Sequence, residues 1–165
     1  MRSYQQAGPV RRVVRRTAGT RPLAWLYARI QQPVDALVFR LTRGRTTLSS
    51  WMAGVQLAML TTTGARSGRP HTLPVLALLD DDGIVVIASN FGRPRNPAWY
   101  YNLRAHPRAS VVVDGVAREV EARELAGDER ERCFQRGVEI YPGFEHYRRW
   151  AGDRRIPVLR LYAAS

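Results

Sequence analysis

Lysine is absent from this chain of 165 residues, and cysteine occurs once, at Cys133. A lone cysteine excludes an internal disulfide, and with no histidine or asparagine placed beside it Cys133 reads as a small buried hydrophobe. Without lysine there is no Gly-Lys-Ser/Thr phosphate loop, and the glycine spacing of a dinucleotide fingerprint is missing too. No apolar run approaches the roughly eighteen residues of a membrane span. No short apolar core with a small-residue cleavage site follows the N-terminal arginines, so no secretory signal is expected and the cytoplasm is the default location. His71, His106 and His146 are scattered without metal-ligand spacing, and Asp80-Asp81-Asp82 runs into Gly83 as a turn does, so no metal is expected. No serine, histidine and acid trio assembles from spacing, which leaves a hydrolase without support. Internal repeats and heptads are absent as well.

What the chain has in quantity is arginine, 26 copies against 14 acidic residues, for a net charge of +12. Ten of these arginines lie in residues 1–50 against Asp35 alone, a local +9, so the other 115 residues carry only +3. Such a local excess can serve nucleic acid, a membrane surface or an anionic ligand. Residues 1–21, with Arg11, Arg12, Arg15 and Arg16, offer little to bury and read as a mobile arm. From Leu23 the apolar positions Leu26, Ile30, Val34, Leu37, Val38 and Leu41 trace one helix face, kinked at Pro33. Arg29, Arg40, Arg43 and Arg45 lie off that stripe. Together with Trp25 and Tyr27 they suit a helix resting on an anionic membrane, peripheral on the inner face; a helix packed on the domain fits equally. Residues 1–50 thus form a basic arm and amphipathic segment, and 51–165 a folded domain of ample size for one core.

Strands are expected at Val55–Thr63, Thr72–Leu79 and Gly83–Ser89. A helix follows, with Asn96 as cap and Pro97 in its first turn, running to about Ala105. Ala109–Val113 and Val116–Glu124 flank Asp114-Gly115, a turn pair favoured in two-residue hairpins. Asp128–Ile140 and Tyr141–Trp150 read as helices and Ile156–Tyr162 as a closing strand. Six strands in a meander with a helical crossover make an α+β domain, a small closed or split antiparallel barrel with flanking helices; a doubly wound sheet would alternate strand and helix throughout.

Two stretches carry chemistry. In Thr61-Thr62-Thr63-Gly64-Ala65-Arg66-Ser67-Gly68-Arg69-Pro70, Gly64 and Gly68 let backbone N–H groups approach an anion, while Arg66 and Arg69 add forked donors suited to phosphate or carboxylate. A solvated hairpin tip has the same composition. In Ile87 to Leu103, small residues end a strand and leave room for a flat ring. Trp99 and Asn102, three apart on a helix, share a face and border such a site, although a tryptophan is as readily core.

Thr-Thr-Thr-Gly before the basic Ser-Gly loop, Ala88-Ser89 after the third strand, Asn-Pro-Ala-Trp-Tyr-Tyr-Asn-Leu at 96–103, His106-Pro107 and Tyr-Pro-Gly-Phe-Glu-His-Tyr at 141–147 follow one another in order. Over about residues 55–162 the chain resembles the deazaflavin-dependent nitroreductase family, the F420-dependent oxidoreductases of split-barrel, FMN-binding-like type. The resemblance implies that coenzyme F420 is held with its phosphate at Arg66 and the amides of Gly64, Ser67 and Gly68. Arg69 and Arg93 or Arg95 would stand near its acidic lactyl-glutamyl tail. Ile87, Ala88 and Ser89 would face the ring, with His71, Pro74, Asn90, Asn96, Trp99 and Asn102 completing the pocket. Tyr141, Phe144 and Tyr147 would cover a small-molecule hydride acceptor. Ala65, His71 and Asn90 stand where members carry cations, and Leu76 and Phe144 where a nitroimidazole-reducing member has tyrosines.

The resemblance implies hydride transfer from the reduced deazaflavin to a quinone, an activated alkene or a nitro compound. Tyr141 or Tyr147 would donate a hydrogen bond to the oxygen that gains charge, a role equally open to Ser89 or water. Two other readings use the same residues differently. A split barrel can hold flavin mononucleotide, haem or a fatty acid instead. A basic nucleic-acid-binding domain would account for the arm, but neither a helix–turn–helix nor alternating exposed aromatics is present, and no nucleic acid is expected.

Overall fold

The computed structural model describes residues 56–164. Six antiparallel strands, β1 (Leu57–Thr63), β2 (Pro70–Asp80), β3 (Gly83–Ile87), β4 (Arg108–Val113), β5 (Val116–Glu124) and β6 (Val158–Ala163), close into a barrel in the order β1-β2-β3-β6-β5-β4. Helix α1 (Ala98–Ala105) lies between β3 and β4, and α2 (Gly127–Ile140) and α3 (Gly143–Trp150) lie between β5 and β6. The expected six-stranded α+β barrel is therefore the observed one. The expected arm, the amphipathic helix from Leu23, the boundary at residue 50 and the start of the first strand lie outside the described residues.

Strand alternation sorts the apolar side chains into two cores. Leu60 opposite Leu73, Ala58 opposite Val75, Ala77 opposite Val86 and Ile84 opposite Leu161 put one set of residues inside the barrel. Trp99, Tyr100 and Leu103 of α1 join that interior cluster. Their neighbours in sequence, Leu78, Val85, Ile87 and Val158, face outward and pack under Cys133 and Phe134 of α2 and Phe144 and Tyr147 of α3. Cys133 is accordingly a buried free thiol, as its surroundings in the sequence suggest.

Several boundaries differ for local reasons. Strand β3 stops at Ile87, because the Ala88 N–H donates to the Pro157 carbonyl (2.9 Å) and the Ser89 N–H turns back to that of Ile87 (2.9 Å). Asn96 does not cap α1. Pro97 holds the cap position in extended conformation, its carbonyl accepts the Tyr100 N–H at 3.1 Å, and the Asn96 side chain accepts instead from the Arg154 guanidinium. A charge-assisted bond outcompetes a neutral cap. Between β4 and β5, Asp114 and Gly115 both take positive φ, 52° and 79°, as a type I′ hairpin needs. Among the described residues no helix is long and apolar enough to cross a membrane.

Candidate functional site

The Gly64–Pro70 loop joins β1 to β2 and is closed from within. The Gly64 N–H donates to the Arg69 carbonyl (2.8 Å), the Gly68 N–H to that of Gly64 (2.9 Å) and the Arg69 N–H to the Ser67 hydroxyl (3.3 Å). The Ala65 N–H donates to Asn102 Oδ1 at 3.0 Å, and Asn102 Nδ2 donates to Thr62 Oγ1 at 3.0 Å. Asn102, buried on α1, thereby fastens the loop to the barrel with both ends of its amide. The amides of Gly64 and Gly68, expected to meet an anion, are spent inside the loop. Those of Arg66 and Ser67, at the exposed apex, have no acceptor among the described residues. His71, opposite Thr62 on β2, turns its Nε2 to the Ser67 hydroxyl (3.4 Å) across the bare Cα of Gly64.

The segment after β3 is built differently. Asn90, Phe91 and Gly92 take left-handed φ of 47°, 56° and 71° in succession, a conformation that costs each non-glycine residue about 1–2 kcal/mol. Gly92 is required there, since a Cβ would lie 2.7 Å from Trp150 Cβ and 2.9 Å from the Tyr147 carbonyl. Phe91 meets Tyr147 edge-on at 5.7 Å, and Asn90 Nδ2 donates to the Arg95 carbonyl at 2.7 Å. Asn90 is thus committed to its own loop. Arg154 sits beneath: Nε donates to the Arg93 carbonyl (2.9 Å), Nη2 to that of Ser89 (2.7 Å), and Nη1 to that of Ala88 (3.4 Å) and to Asn96. Burial pulls its guanidinium below the ordinary value, with only the Tyr101 phenol acting against that. Nothing in the sequence marked Arg154, 58 residues from Asn96.

Of the three residues expected against a flat ring, Ile87 is enclosed in the outer core beside Gly137 of α2, and Ala88 is fully buried in the barrel interior. Ser89 alone keeps a half-buried side chain, so the strand end presents backbone and one hydroxyl. Trp99 is buried in the barrel interior, and Pro74 lies half-buried on β2 opposite Met59. At the far side Tyr141 and Tyr147 share a hydrogen bond at 3.0 Å between their phenol oxygens, and Phe144 packs edge-on to both rings, at 5.5 and 6.2 Å. Phe144 and Tyr147 are buried, whereas Tyr141 is half-buried. Tyr100 closes the barrel end, donating to Glu124 Oε2 at 2.9 Å.

Residues 61–79 and 88–107 contain five arginines and no acid. The side chains of Arg66, Arg69, Arg93 and Arg95 make no ion pair or hydrogen bond among the described residues and are exposed. Four unneutralised guanidinium groups, two adjacent amides and a small-residue strand end suit a planar ligand with an anionic tail. No three His, Cys, Asp or Glu side chains gather as a metal site among the described residues.

Fold and site together define a split-barrel protein for an anionic, planar coenzyme. The family model of F420H(2)-dependent quinone reductases matches residues 34–162, and the chain belongs to that family. A candidate F420H(2)-dependent quinone reductase of Mycobacterium tuberculosis is 34% identical over 96 residues, which span 58% of this chain and 80% of that protein. A solved F420-H2 dependent reductase superposes with a TM-score of 0.59 at 36% identity, covering 64% of this chain and 92% of that one. A solved chain described as a domain-swapped dimer gives a TM-score of 0.61 at 32% identity, covering 86% and 99%.

Proposed function

We propose that the chain is an F420H2-dependent reductase that holds the coenzyme along the acid-free rim and reduces a quinone. The observation that carries this reading is the set of four exposed, unneutralised arginines on two loops, in a chain of this family. When bound, the reduced deazaflavin supplies a hydride. Arg66 with the apical amides of Arg66 and Ser67 takes the phosphate, and His71 orients the Ser67 hydroxyl. Arg69, Arg93 and Arg95 face the acidic tail. The backbone at 87–89, the Ser89 hydroxyl and Pro74 border the ring, while Trp99, Asn90, Asn96 and Asn102 hold those walls in place. Gly64 and Gly68 serve by closing the loop.

Reducing a quinone to its quinol takes two electrons and two protons, of which a hydride brings both electrons and one proton. One proton must therefore reach a quinone oxygen from the protein or from water. The Tyr141–Tyr147 phenol pair or Ser89 would donate to that oxygen as it gains charge. The test is anaerobic mixing of the protein and reduced coenzyme with a short-chain quinone, following recovery of the oxidised coenzyme's absorbance. Turnover, lowered about tenfold or more in Tyr141→Phe, is expected. Tight coenzyme binding without quinone turnover would reject the quinone as acceptor.

Residues 1–45 we propose as the contact with an anionic membrane surface, where lipid-soluble quinones partition. The support is the local +9 charge and the apolar stripe from Leu23. Deleting them should reduce binding to anionic liposomes while leaving coenzyme affinity intact; equal liposome binding would reject the contact.

A further inference from the structure

Arg154 makes four hydrogen bonds through its guanidinium, and all four acceptors lie in residues 88–96. Three are backbone carbonyls, of Ala88, Ser89 and Arg93, and the fourth is the Asn96 side chain. No carboxylate takes part. The span they pin holds the left-handed run Asn90-Phe91-Gly92, whose two non-glycine residues would relax if released. Its far side rests on α3, where Gly92 meets Tyr147 and Trp150 and Phe91 meets Tyr147. Ser89, Arg93 and Arg95 sit on this span. One residue outside both arginine-bearing stretches thus ties this span together.

We propose that Arg154 is a positioning residue: by clamping the carbonyls of Ser89 and Arg93 together it holds the 88–96 loop in the form that receives the coenzyme. The inference rests on the coenzyme reading above. A planar fork is needed, because one ammonium cannot span four acceptors on three sides. Arg154→Lys keeps the charge and loses the fork, and Arg154→Gln loses both.

The experiment titrates the full chain and both variants with F420, fitting dissociation constant and stoichiometry separately from coenzyme fluorescence. Hydrogen exchange is followed in the ligand-free proteins. Both variants should weaken coenzyme binding about tenfold or more at unchanged stoichiometry, with faster exchange in 88–96 and unchanged exchange in 64–70. Wild-type affinity in Arg154→Lys would overturn the proposal, as would a loss confined to stoichiometry, the mark of a residue that only supports the fold. If the unmodified chain fails to bind F420, the coenzyme reading falls. The clamp is then still decided by exchange in 88–96, where unchanged rates overturn it and faster rates sustain it.

Discussion

Two groups of arginines in this molecule do opposite things. Arg66, Arg69, Arg93 and Arg95 stand on loops in stretches without a single acid and keep their charge toward solvent. Arg130, Arg136, Arg148 and Arg160 are committed to the fold around α2, α3 and β6. Arg160, buried, reaches Asp82 (2.7 Å), Glu129 (3.2 Å) and Asp80 (3.4 Å), and Arg136 adds a bond to Asp80 at 3.0 Å. Arg130 pairs with Glu131 at 2.6 Å and donates to the Ile156 carbonyl, and Arg148 bridges Glu131 and Glu145. Arg130 and Arg148 also flank the Phe134 ring, at 5.1 and 5.2 Å. Burial works to lower the Arg130 guanidinium and outweighs the Glu131 charge that opposes it. The buried group also leaves the Nε of Arg130 and of Arg160 without an acceptor, a cost of about 1–3 kcal/mol each that trims what the ion pairs contribute. One residue type thus stands unpaired at the rim and builds in the helical layer. What separates the roles is the placement of the acids.

The sharpest way to break this contrast is Arg66→Ala. Coenzyme affinity should fall by about 1.5–3 kcal/mol, while the denaturation midpoint stays put. An unchanged dissociation constant would move the phosphate elsewhere. Asn102→Ala crosses the two regions, since it strips partners from the buried Thr62 hydroxyl and the Ala65 amide. Urea denaturation should show a loss of about 1–3 kcal/mol, accompanied by weaker coenzyme binding; a stable variant with normal affinity would mean the loop holds itself.

Arg160→Met should lower stability by about 1–2 kcal/mol and leave affinity alone. The value is below that of a fully buried pair because Asp82 and Glu129 are largely open to solvent, with 74% and 44% of their side chains exposed. Acid should act on the same region. Burial works to raise the Asp80 carboxyl, but the bonds from Arg136 and the Asp81 N–H and the charges of Arg136 and Arg160 outweigh it and hold it below its ordinary value. Glu131 is also held down, first by the Gln135 side chain against the opposing effect of burial, then by Arg130 and Arg148. A carboxyl depressed in the fold stabilises above its unfolded value and loses that contribution as pH falls through the folded one. The thermal midpoint should therefore drop below about pH 4, and drop less in Arg160→Met. Equal acid sensitivity in the two proteins would show that Arg160 does not hold the Asp80 carboxylate.

The six strands were legible because their alternation survives the fold, and the hairpin at Asp114-Gly115 because its turn chemistry is local. Composition alone leaves the arginine-bearing loops open to an anion and to a solvated hairpin tip alike. What escaped was long-range. Asn96 has the look of a helix cap until Arg154 is brought to it, and the amides of Gly64 and Gly68 look available until the loop closes on itself. Ile87 and Ala88 both seemed open to a ring, but strand alternation sends one to the outer core and the other into the barrel. No spacing rule finds a guanidinium that acts on a loop nearly sixty residues earlier.

The central claim is that the exposed rim arginines are kept for the anionic deazaflavin coenzyme. Parallel titrations of the full chain with F420 and with flavin mononucleotide, followed by coenzyme fluorescence and repeated with Arg66→Ala, test it most directly. Tighter binding of F420, weakened by the substitution, is the predicted result; a preference for flavin mononucleotide that ignores Arg66 would contradict it.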